Sequence, residues 1–270
     1  MARSGARFDT RKWLTENLPV LFELLADRNL DWVAINKRLE IKLNENKRKY
    51  ELKGQPILVE ASFFGIIIST ARGNPQAKSF LDFIRKLFEE LADILDRNEK
   101  YLIRNNLFGL LVNIDLKYLN FLGELCVLNH IKRNTNYKLV ATEAPLNVSK
   151  PGGSKIDFKF NNSMNSKELQ IEVMNIHLND ISTWSDEKIN GLLSQKIKAK
   201  LNTKGIRQNS TFYLLPVLWG SKDDIEIVIS FYERKEPIFP NTMIPASFMA
   251  YRYESGPVTH KFGAIDSILK

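Results

Sequence analysis

Two carboxylates on consecutive strand-like segments carry the chemistry this sequence offers. Glu172 interrupts the apolar run LQIEVMNI, residues 169–176, and Asp157 alternates with apolar side chains in KIDFKF, residues 155–160. Side chains alternate across a strand, so Gln170, Glu172 and Met174 share one face while Ile171 and Val173 take the other. The same rule puts Asp157 with Lys155 and Lys159, opposite Ile156, Phe158 and Phe160. The two segments are close in sequence, which predicts a hairpin. Paired in that way, the two carboxylates project into one pocket. They repel each other there unless a cation lies between them. A hard divalent ion such as Mg²⁺ (or Mn²⁺) suits the place, because its ligands are carboxylate oxygens and waters. Such an ion activates water and steadies the transition state of phosphodiester hydrolysis.

The elements that must position these residues follow from periodicity. Residues 1–105 read as helical. WLTENLPVLFELLADRN has apolar residues at helical spacing with Pro19 as a break, and LDWVAINKRLEIKL continues the pattern. NENKRKYELKG, residues 44–54, reads as a charged, exposed connection. The stretch from 79 to 102 reads as one amphipathic helix with Phe80, Phe83, Leu87, Leu91 and Leu95 along one side. From 106 onward the pattern changes. A helix is expected over LKYLNFLGELCVLNHIKRN, then a short strand in YKLVATEAPL, a loop through Pro151, Gly152 and Gly153, and the two carboxylate strands. DEKINGLLSQKIKAKL is amphipathic, with Ile189, Leu192, Leu193, Ile197 and Leu201 as its apolar face. TFYLLPVLWG reads as a buried strand and IEIVISFYE as another. The expected class is α/β (α+β), a central mixed sheet flanked by helices. The expected domains are a helical region over 1–105 and an α/β domain over 106–270.

The order GELCVL, GGSKIDFKF, LQIEVMNI, lysine-rich helix, YLLPVLWG resembles that of the PD-(D/E)XK nuclease superfamily, whose fold is restriction-endonuclease-like. The resemblance covers roughly residues 106 to 235. It implies a helix glutamate at Glu124, a metal-binding aspartate at Asp157 and a second metal carboxylate at Glu172. It further implies that the Val173 carbonyl completes the metal shell and that Glu124 orients water or a second ion. The chain departs from the pattern at Met174, where the superfamily usually has its catalytic lysine. Some members carry that lysine on the following helix, and this chain offers Lys196, Lys198 and Lys200 there. Lys196 and Lys200 are four apart and share a helix face, so either is expected to replace the lost strand lysine. The implied activity is Mg²⁺- or Mn²⁺-dependent cleavage of nucleic acid, with DNA taken ahead of RNA, and the family also implies a homodimer. The alternative is an inactive nuclease-fold module that binds nucleic acid or a protein partner. A weaker third reading is a helical scaffold whose α/β part is structural.

Composition narrows the remaining choices. The chain has 270 residues, 44% hydrophobic, enough for one large core or two smaller ones. Its net charge of +8 favours polyanionic partners. The single cysteine, Cys126, excludes a disulfide within one chain and a cysteine zinc site, and it fits a reduced, cytoplasmic setting. In its apolar context it reads as a small buried hydrophobe. The N-terminus lacks the apolar stretch of a secretory signal. The most apolar run, residues 56–71, contains Glu60 and falls short of the ~20 residues of a membrane span, so no membrane partner is expected. The basic tract KLNENKRKYELK reads as a solvated surface or a nucleic-acid contact. His177 falls on the face opposite Glu172 by parity, and Trp184 and Trp219 read as core or pocket wall. No P-loop, dinucleotide fingerprint, HExxH or nucleophile elbow occurs.

Overall fold

The computed structural model describes residues 9–25, 30–53, 62–113, 115–145, 154–162, 164–204, 212–235, 249–252 and 260–262. Among these residues the chain forms ten helices and six strands. It divides into two compact units, Met1–Asn129 and His130–Lys270. Sequence periodicity alone sets the division at 105/106.

The first unit is helical: α1 (Thr10–Asn17), α2 (Val20–Leu24), α3 (Trp32–Lys53), α4 (Phe63–Ala71), α5 (Pro75–Ile94), α6 (Arg97–Leu102), α7 (Arg104–Val112) and most of α8 (Tyr118–Asn134). Helix starts follow local chemistry. The Ser62 hydroxyl accepts from the Gly65 N–H to cap α4, and Asn74 caps α5 just before Pro75. The expected single helix over 79–102 is two helices. At Asp96 a capping box with Glu99 starts a new one, and its carboxylate chemistry outcompetes the continuous apolar stripe. The expected exposed connection at 44–54 is instead helical as far as Lys53, inside α3. Its residues have good helix propensity, and Lys42 pairs with Glu45 at 3.1 Å one turn on. The first part of the apolar run, residues 56–61 with Glu60, lies outside the described residues. Its remainder forms α4, with Phe63, Phe64, Ile66 and Ile67 buried. No helix among the described residues is long and apolar enough to cross a membrane.

The second unit is a mixed sheet with helices. Its elements are β1 (Tyr137–Pro145), β2 (Lys155–Asn162), β3 (Glu168–His177), α9 (Asp186–Lys204), β4 (Phe212–Gly220), α10 (Lys222–Lys235), β5 (Met249–Arg252) and β6 (His260–Phe262). The strands lie in sequence order. β1, β2 and β3 form an antiparallel meander. β3 and β4 are parallel, as are β4 and β5, and β6 returns antiparallel. The parallel pairs are joined through α9 and α10, because parallel neighbours need a crossover. Ile189, Leu193 and Ile197 of α9, with Ile225, Val228 and Ile229 of α10, pack against Met174, Ile176, Leu214 and Leu218 on one sheet face. The other face, with Phe158, Phe160, Ile171, Val173 and Trp219, is also buried.

IEIVISFYE, expected as a strand, lies within α10. Its β-branched residues suit a strand, but the buried positions 224, 225, 228, 229 and 231 repeat at helical spacing. Ser221 caps the helix by accepting from the Asp224 N–H at 3.0 Å. Asp224 is itself buried and accepts from the Ile181 N–H at 2.8 Å, which ties the loop after β3 to the start of α10.

Candidate active site

The β2–β3 hairpin brings the two sequence-predicted carboxylates to adjacent strands. The ladder runs Asn161↔Glu168, Lys159↔Gln170 and Phe158↔Ile171. The register therefore points Asp157 and Glu172 to the same side. Regular pairing stops at that point. Instead of a main-chain partner, the Val173 N–H donates to Asp157 Oδ2 at 2.7 Å. Across β2 on the other side, Glu143 of β1 has φ +49°, a left-handed conformation that few non-glycine residues adopt. A β-bulge also shifts the β1–β2 register between Leu139 and Ala141. Irregularities of this kind re-aim side chains beside functional sites.

Glu172 is 1% exposed, between the polar row of Asp157, Lys159 and Gln170 and the apolar cluster around Met174 on the same sheet face. A carboxylate buried there needs a charged or hydrogen-bonding partner. That partner comes from α9: Lys200 Nζ lies 2.6 Å from Glu172 Oε1, with the Lys200 side chain 33% exposed. The sequence leaves Lys196 and Lys200 equivalent, and the fold separates them. α9 returns the chain from the end of β3 to the start of β4, so it runs against β3. Lys200 then reaches back to Glu172, while Lys196, one turn earlier, lies toward His177. The His177 imidazole, although the residue is exposed, is held below its ordinary pKa, first by partial desolvation from its neighbours and second by the Lys196 ammonium. Lys196 and Lys198 are exposed.

Met174, where the superfamily lysine would stand, is 5% exposed and belongs to the core between the sheet and α9–α10. An ammonium at this position would be enclosed by isoleucine and leucine side chains, so the site's positive charge comes from the helix instead. Glu124 belongs to the first unit, where its Oε2 accepts from the buried Asn106 amide at 2.5 Å. Trp219 is fully buried, and its Nε1 donates to Asn175 Oδ1 at 2.8 Å across the β3–β4 pair. Trp184 packs against the α9 stripe with Lys188 Nζ 4.2 Å above its ring. Cys126 is buried.

Sequence reasoning set Lys159 and Gln170 on the carboxylate face but missed the contacts both make with Glu168. Lys159 Nζ lies 2.8 Å from Glu168 Oε2, and the Gln170 amide donates to Glu168 Oε1 at 2.6 Å. These two contacts hold the Glu168 carboxyl below its usual range. Strand parity could have found these contacts, since 159 and 170 face each other in the predicted hairpin.

No three His, Cys, Asp or Glu side chains converge among the described residues. A divalent ion here would therefore draw on two carboxylates and main-chain oxygen. The N–H and C=O of one strand residue point to the same edge. The Val173 carbonyl is thus on the side where its N–H meets Asp157. Asp157, Glu172 and this carbonyl offer oxygen donors alone, the chemistry a hard ion such as Mg²⁺ or Mn²⁺ would need. No family model matches the sequence, and no curated protein and no solved structure gives a significant match.

Proposed function

We propose that this protein is a metal-dependent nuclease that hydrolyses phosphodiester bonds of nucleic acid, with DNA as the first candidate substrate. The observation that carries the reading is the Lys200 ammonium 2.6 Å from the buried Glu172 carboxylate. A catalytic lysine moved from strand to helix predicts this contact, and lysines splayed into solvent would have argued against it. Asp157, Glu172 and the Val173 carbonyl would hold Mg²⁺ or Mn²⁺. When bound, such an ion polarises a phosphoryl oxygen and lowers the pKa of a coordinated water. Lys200 holds Glu172 in place, and its partly exposed ammonium can orient water and offset charge growing on a phosphate. Lys196 and the net charge of +8 favour contact with the phosphate backbone. A reduced, cytoplasmic setting suits the buried single cysteine, and a homodimer remains part of the proposal through the resemblance alone.

The core role of Met174 favours a second reading, a nuclease fold kept for binding without chemistry. Cleavage of supercoiled and linear duplex DNA, single-stranded DNA and RNA in Mg²⁺ or Mn²⁺ separates the two. The nuclease reading expects metal-dependent cutting that disappears in Asp157→Ala/Glu172→Ala. Binding without cutting, unchanged in the double variant, supports the inactive module.

A further inference from the structure

The Glu172–Lys200 pair is asymmetric. The carboxylate is 1% exposed and fixed on a strand, whereas the lysine is 33% exposed at the end of a flexible four-carbon stem. Glu172 borders the apolar cluster around Met174, where an unpaired buried charge is strongly disfavoured. A divalent cation on Glu172 would take over the counter-charge that the Lys200 ammonium supplies. An ammonium and a divalent ion on the same carboxylate repel each other, so they compete for Glu172. Once displaced, Lys200 lies on the same side of α9 as Lys196, four residues earlier and exposed. Two ammonium groups at that spacing suit a phosphate oxyanion.

We propose that Lys200 is a shared contact that passes from Glu172 to a nucleic-acid phosphate as a divalent cation occupies the carboxylate, so that ion and nucleic acid bind with positive coupling. The proposal rests on the reading of Asp157 and Glu172 as metal-binding carboxylates. It adds that Lys200 lowers metal affinity in the absence of substrate, and that phosphate removes this penalty. By linkage, the ion strengthens phosphate binding by the same factor.

The test is a Mn²⁺ titration of the full chain, read by the electron paramagnetic resonance signal of free Mn²⁺. Wild type is compared with Lys200→Gln and with Glu172→Gln/Lys200→Gln. The proposal expects Lys200→Gln to bind Mn²⁺ about tenfold tighter than wild type, a typical coupling factor. It expects the double variant to lose that gain. A second measurement needs no variant, and it decides the matter if Lys200→Gln fails to fold. Sulfate stands in for a phosphate group, with chloride at matched ionic strength as the reference, and sulfate should tighten Mn²⁺ binding to wild type. Equal Mn²⁺ affinity in wild type and Lys200→Gln, or no effect of sulfate, overturns the exchange and leaves the metal site standing. No Mn²⁺ binding by either protein overturns the metal site and the exchange together.

Discussion

The helical unit and the sheet unit both bury carboxylates, and they treat them differently. In the helical unit Glu99, 3% exposed, serves the backbone: its Oε2 accepts from the Asp96 N–H at 3.0 Å and closes a capping box. Glu124 and Glu90 accept from the side-chain amides of Asn106 and Asn129. These contacts fix helix starts and helix–helix pairs. In the sheet unit Asp157 takes a strand N–H out of the ladder, and Glu172 meets an ammonium beside the apolar cluster around Met174. A carboxylate that caps a helix adds to stability. One that breaks a strand ladder or buries an ion pair gains little, because desolvation offsets most of the attraction. Asp224 in the sheet unit serves the backbone as Glu99 does, so the contrast is confined to the Asp157 and Glu172 contacts on β2, β3 and α9.

The largest effect expected from this contrast is at Met174. Met174→Lys would place an ammonium in the apolar core between the sheet and α9–α10. It should cost about 4 kcal/mol, the range for an unpaired buried charge. Urea denaturation measures it, and a loss under about 1 kcal/mol would mean the ammonium escapes to the Glu172 pocket. Next comes Lys200→Ala, which takes the ammonium away from Glu172. The expected loss is about 2 kcal/mol, below the range for a fully enclosed pair because the Lys200 ammonium already reaches solvent. Glu172→Gln in the same chain should recover most of it, and a double-mutant cycle without coupling would break the comparison. Asp96→Ala in the helical unit should cost about 1 kcal/mol, as for an ordinary N-cap. The smallest effect is at His177. Its depressed pKa means the unfolded chain binds this proton more readily. The stability contribution is present above the unfolded value of about 6.5 and is lost as pH falls through the folded pKa. Lys196→Gln removes one of the two causes, so the His177 titration followed by NMR should move upward.

Much of the sheet unit was legible in the sequence because alternation is a strong signal. Asp157, Glu172, their hairpin and the apolar stripe of α9 all follow from period two or period 3.6. In IEIVISFYE four β-branched residues point to a strand against the cap at Ser221, and only packing on the sheet fixes the helical period. The α3 tract looked like a connection because charge was read as a loop signal, although lysine, arginine and glutamate are good helix formers. The choice between Lys196 and Lys200 was not legible at all. Both lie on one helix face, and the direction of α9 against β3 decides which of them meets Glu172. The ladder break at Asp157 was equally hidden, since alternation predicts which face a side chain takes but not that its carboxylate will replace a main-chain partner.

The most direct test of the central claim is the rate of Mg²⁺- or Mn²⁺-dependent DNA cleavage by the full chain with Lys200→Gln. Lys78→Gln, at an exposed position of α5, serves as a charge control. If Lys200 is the catalytic lysine of the proposed nuclease, Lys200→Gln should cut at least ~100-fold more slowly, as expected for removing a group that stabilises the transition state, while Lys78→Gln cuts at the wild-type rate. Equal rates in all three proteins, or no metal-dependent cleavage by the wild type, would contradict the account.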